Sequence, residues 1–148
     1  MRNWRAIFAS CCSVLVGASC TPAEPARLPS LLSVRGAWAR PADSGATTAV
    51  YFVLANGGAT ADTLRGVSSV DAEVTEMHIS TRIGGMMHMS PVTALPVPAD
   101  DSVSFRPLGA HVMMLRVRRR VVAYDTVTAV LTFVSGDSLT VRAGVRQP

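Results

Sequence analysis

This sequence predicts an all-β domain, an antiparallel Greek-key sandwich or barrel, on three observations. Short runs such as AVYFVLA and TAVLTFV are rich in β-branched and aromatic residues, the composition of strands that pack on a pleated, half-buried surface. Glycine, proline and aspartate interrupt these runs at short intervals, in NGG, IGG, VPADD and SGD, where they favour reversals of the chain. No stretch keeps an apolar period of 3.6 long enough to demand a helix. The 148 residues suffice for one such domain with a sizeable core and leave little room for a second.

The amino terminus reads as an export signal. Arg2 and Arg5 supply positive charge, AIFASCCSVLVGAS supplies a short apolar run, and Gly17, Ala18 and Ser19 lead into Cys20. The run is too short for a membrane-spanning helix. Its end has the form of a bacterial lipoprotein processing site, which would place a lipid on Cys20; ordinary signal cleavage and an uncleaved anchor are the alternatives. The expected organisation is a leader over 1–19, a lipidated cysteine with a proline-rich tether over 20–31, and a β domain over 32–148. Cys11, Cys12 and Cys20 are the three cysteines, so the domain itself has no thiol. That disfavours a cysteine nucleophile, a thioredoxin-like motif, a structural disulfide and a cysteine-ligated blue-copper site.

Within the domain VRGAWARP is the first expected strand, with Trp38 as a core or rim anchor. AVYFVLANGG follows as a strong β-former closed by Asn56, Gly57 and Gly58. ADTLRGVSS is a weaker strand or an irregular crossing, and DAEVTEMHIS resumes alternation, with Glu76 and His78 on one face and Met77 and Ile79 on the other. Gly84 and Gly85 permit a tight hairpin into GMMHMSP. Pro91 and PVPADD mark strand termination and a turn. SVSFRPLG leads into AHVMMLRV, and VVAYDTVTAVLTFV and SLTVRAGV end the chain as two β-rich segments around SGD.

The formal net charge of +4 includes the two leader arginines, and no long basic block occurs. The densest cluster, Arg116 to Arg120 (RVRRR), reads as a solvated edge or turn, with docking of an acidic partner as the sharper alternative. Few aromatics interleave with these charges, so nucleic acid is not an expected partner.

The stretch from Glu73 to Met114 concentrates soft and borderline metal donors. Residues i and i+2 of a strand point the same way, so His111 and Met113 share a face, opposite Val112 and Met114. After the IGG reversal, His78 comes close to Met87 or Met89, depending on register. His88 and Met86 alternate with Met87 and Met89, so His88 points away from Met89. Taken singly, His78 reads as a surface or hydrogen-bonded histidine and the methionine row as a core strand. Together they form a candidate cluster of His78, Met89, His111 and Met113.

His78, ten intervening residues, Met89, twenty-one more, then His111, Val112 and Met113 resembles the signature of the periplasmic copper chaperone family called PCu(A)C. AWARP, AVYFVLANGG, EMH, GMMHMSPV, VPADDSVSF, PLGAHVMML and TAVLTFVSGDSLTV are similar to family blocks in the family order, over roughly Ser33 to Val145. His88 departs from the family, which commonly has a basic or polar residue there, and EMHIST lacks the second acidic or methionine turn often found. The resemblance implies a cupredoxin-like sandwich and the binding of Cu(I) and often Cu(II). It also implies delivery to an extracytoplasmic acceptor, the copper site of respiratory cytochrome oxidase or an assembly factor.

Donor chemistry favours the same metal. Thioether sulfur is soft and neutral and suits Cu(I), whereas zinc sites use thiolate, imidazole or carboxylate and calcium sites use hard oxygens. An enzyme is disfavoured, because Glu76, two residues from His78, could orient an imidazole but has no nucleophile or paired acid at a compelling spacing.

Overall fold

Alternating runs such as TVTAVLTF and SLTVRAGV become strands because each buries one face. The computed structural model describes residues 31–147, with ten strands and, among those residues, no helix. In chain order they are β1 (Leu32–Ala39), β2 (Thr48–Asn56), β3 (Asp62–Ser68), β4 (Ala72–Ile83), β5 (Met86–Val92), β6 (Leu95–Val97), β7 (Asp101–Phe105), β8 (Ala110–Val117), β9 (Thr126–Phe133) and β10 (Ser138–Val145). The expected leader, Cys20 and all but the last residue of the tether lie outside the described residues.

The strands run in the order β5-β4-β8-β7-β2-β1-β10-β9-β3-β6, with a further β8–β2 pairing. Pairing is antiparallel except for β1 with β10 and β7 with β8. The two ends, β5 and β6, do not meet, so the sheet folds into a cupredoxin-like sandwich and the expected barrel alternative does not form. Phe52, Leu54, Leu64, Val112, Met114, Leu131 and Phe133 fill the interior, and the rings of Phe52 and Phe105 stack at 4.3 Å.

Two local features refine the sequence reading. ADTLRGVSS is a true strand, β3, with its register shifted between Leu64 and Gly66. PVPADD does not stop pairing at Pro96: Leu95 and Val97 are buried and β6 pairs with β3, with Pro96 opposite Thr63. A proline is tolerated there because β6 is an edge strand and its missing N–H need not join a ladder.

The element that positions the candidate site is the β4–β5 hairpin. Gly84 and Gly85 have φ of 56° and 85°, the pair of positive values that a two-residue type I′ reversal requires. This turn sets Ile83 opposite Met86 and, three pairs on, Ser80 opposite Met89. On its other side β4 pairs with β8, His78 opposite His111 and Glu76 opposite Met113.

Candidate metal centre

Opposed residues of paired strands share a face, so the register puts His78, Glu76, Met89, His111 and Met113 on one side of the sheet. Val112, Met114 and Met77 point from the same strands into the core. Pairing of β2 with β8 adds Ala49, opposite Met113, to the donor face, and Tyr51 stands two residues further along that face.

The two imidazoles are held by different partners. His111 is 4% exposed, and its Nδ1–H donates to the Gly109 carbonyl at 3.0 Å; a carbonyl only accepts, so the lone pair is left on Nε2. His78 donates from Nε2–H to the Glu76 carboxylate at 2.8 Å, which leaves Nδ1 as its second nitrogen. That Nδ1 is buried and has no hydrogen-bond partner. The ring centroids of His78 and His111 lie 5.8 Å apart. Each ring therefore uses one nitrogen for orientation and keeps the other uncommitted, the arrangement that fixes tautomer and direction in metal-ligating histidines.

Met89, His111 and Met113 line a surface depression of about 490 Å³ together with Ser80, Tyr51 and Leu108. His78 is not among its lining residues and stands beside it, opposite His111. Among the described residues, no three His, Cys, Asp or Glu side chains cluster to hold a metal. A metal held here would draw on thioether sulfur as well as imidazole nitrogen, a donor set that fits a soft monovalent ion.

Sequence reasoning missed the surroundings of His111. Trp38, expected as a core or rim anchor, lies tilted against Tyr51 with ring centroids 4.6 Å apart and under the Arg146 guanidinium at 4.6 Å. Tyr51 in turn lies 6.3 Å from the His111 ring. Leu108 also escaped notice. It occupies the third position of a turn closed by the Gly109 N–H to the Arg106 carbonyl, with φ of 62° and 71% exposure. A leucine in that left-handed region is disfavoured by about 1–2 kcal/mol. The Pro-Leu-Gly sequence was the available signal.

Two sets of arginines differ in their partners. In RVRRR, Arg116 pairs with Glu73 at 2.6 Å, Arg119 with Asp125 at 3.0 Å, and Arg120 with Asp43 at 3.1 Å. The Arg116 hydrogen bond holds the Glu73 carboxyl below its ordinary range. Asp125 is lowered first by the Val122 backbone N–H and then by Arg119. Three of the four arginines in the run thus close on nearby carboxylates, about 20 Å along β8 from His111. Arg40 lines the depression, Arg82 follows Ser80 on the donor face of β4, and Arg106 precedes the lining residues Pro107 and Leu108; among the described residues none of the three has a carboxylate partner.

The architecture is that of PCuAC-type copper-binding domains. The copper-bound PCuAC domain from PmoF2 aligns with a TM-score of 0.65 at 22% identity, covering 80% of this chain and 94% of that one. The apo PCuAC domain from PmoF1 gives 0.65 at 21%, covering 80% and 95%. The Cu(I) form of DR1885 from Deinococcus radiodurans gives 0.59 at 28%, covering 76% and 78%. Over residues 32–145 the sequence matches the LpqE-like lipoprotein family, and the chain belongs to it. Membership places the protein in the cell envelope as a periplasmic, membrane-anchored lipoprotein. No curated protein matches the chain in sequence.

Proposed function

We propose that this protein is a copper carrier. Cu(I) is its cargo, held by His78, Met89, His111 and Met113 and passed to an extracytoplasmic acceptor, the copper site of a respiratory oxidase or an assembly factor. The observation that carries this reading is the pair of facing imidazoles, one with a buried Nδ1 that has no partner and one with Nδ1 committed to Gly109. Thioethers on the same face supply the soft donors, and the four ligands are neutral, so Cu(I) keeps its charge and can be exchanged without proton release. Cys20 carries the lipid, residues 20–31 form the tether, and the domain over 32–148 does the binding, by carriage rather than turnover.

Each residue has a definite task in this reading. Gly109 and Glu76 hold the two rings in one tautomer and orientation. His111 is recessed and rigid, and Met113 is fixed beside it on β8. Met89 is 54% exposed on an edge strand, so it can let go first. An acceptor with acidic residues around its own copper ligands would meet Arg40, Arg82 and Arg106, an attraction that fades as salt rises.

Copper-edge absorption of the Cu(I)-loaded protein tests the ligands. The expected spectrum has mixed nitrogen and sulfur scattering, with the sulfur part reduced in Met113→Leu; a spectrum without sulfur sinks the assignment. Transfer is tested by mixing the loaded protein with the apo copper domain of an oxidase subunit. Arrival faster than release to a noninteracting chelator supports direct delivery, whereas arrival at the free-dissociation rate turns the protein into a store or scavenger.

A further inference from the structure

Beyond the four-donor centre lies a second donor pair. Ile83 opposes Met86 and Thr81 opposes His88, so Met86 and His88 share the face of β5 turned away from Met87 and Met89. Both are exposed, Met86 at 67%. Neither Met86 nor His88 belongs to the core or packs against it. Among the described residues His88 has no hydrogen-bond or ion-pair partner.

We propose that Met86 and His88 form a second, exposed Cu(I) site. The spacing is that of His111 and Met113, an imidazole and a thioether two residues apart on one strand face, which lets both side chains reach one ion. The neighbours across the ladder are Thr81 and Ile83, so no carboxylate stands opposite to attract a hard divalent cation. A soft monovalent ion accepts two neutral donors of this kind. With two donors instead of four, both solvated, the pair binds more weakly and fills second.

Its position gives it a use. β5 is the edge of the sheet, so an ion on Met86 and His88 is separated from Met87 and Met89 by the thickness of one strand and can pass around a free edge. Movement between the faces exchanges one set of neutral ligands for another and leaves Cu(I) unchanged in charge and oxidation state. The pair collects copper at the hairpin tip for the inner cluster.

The chain has three histidines, so imidazole NMR resolves the two sites. The mature lipoprotein, in detergent micelles, is titrated anaerobically with Cu(I). His78 and His111 are expected to respond during the first equivalent and His88 during the second. Met86→Leu, an exposed change of similar volume, is expected to leave the first response intact and weaken that of His88 by about tenfold. A His88 signal that stays unmoved in excess Cu(I), or that moves equally in Met86→Leu, overturns the site. Should His88 respond while His78 and His111 stay silent, the second site stands and the four-donor centre falls.

Discussion

Strands β5 and β8 carry nearly the same donors, MMHM and HVMM, in opposite surroundings. β8 lies between paired neighbours and buries His111, Val112 and Met114, whereas Met86 to Pro91 of β5 are all exposed at the sheet edge. Sequence composition alone does not distinguish them; position in the ladder does. The interior strand supplies a donor that is rigid and oriented, and the edge strand supplies donors that can move. A carrier needs both, because a site built wholly on β8 would hold its ion without an exit, and one built wholly on β5 would hold it loosely.

The largest expected difference between the two strands is in stability. Met114 is fully buried, and Met114→Ala is expected to cost about 2–5 kcal/mol through lost contacts and a residual cavity. Met89→Ala, on the exposed strand, is expected to stay within about 0.5 kcal/mol. Urea midpoints of the metal-free protein measure both. Similar losses at the two positions would mean that β5 is packed in solution and that the contrast is false.

Copper affinity is expected to reverse that ranking of the methionines. Met114→Leu should leave Cu(I) binding unchanged, while Met89→Leu weakens it with little effect on folding. His111→Gln is expected to weaken binding by about a hundredfold or more. Glu76→Ala, which frees His78 to turn, is expected to weaken it by about ten- to hundredfold. Anaerobic competition against a chromophoric Cu(I) chelator gives the order. An unchanged affinity in Glu76→Ala would show that the carboxylate does not orient His78.

Much of this site is local in origin and so was readable from the sequence. The shared face of His111 and Met113 follows from strand parity, and the hairpin follows from Gly84 and Gly85. The facing of His78 and His111 is different in kind, because it depends on β4 pairing with a strand more than thirty residues away. Parity also cannot say that Tyr51, on β2, comes beside His111. Pro96 misled for a related reason: its effect depends on whether its strand is an edge, which only the assembled sheet decides. The arginine run is the exposed edge that its sequence suggests, but its ion pairs were not readable there, because Asp43 and Glu73, its partners, are remote in sequence and brought near by β-pairing.

The smallest expected effect concerns the end of β8 remote from the donors. Glu73 and Asp125 are both held below their ordinary carboxyl range, Glu73 by Arg116 and Asp125 by the Val122 N–H and Arg119. A carboxyl whose folded pKa is depressed adds stability that is fully present above its unfolded value and is lost as pH falls through the depressed one. Stability should therefore decline as the solution is taken from neutral pH down through and below the ordinary carboxylate range. Because these pairs are exposed, salt screens them and their share of the decline is small. Urea midpoints measured across this acid range should fall less steeply in Glu73→Gln combined with Asp125→Asn than in the parent protein. Each substitution keeps one side-chain oxygen as an acceptor and removes the carboxylate charge. Parallel slopes in the two proteins would assign the acid sensitivity to other groups, and the arginine run would then be a solvated edge whose ion pairs contribute nothing measurable.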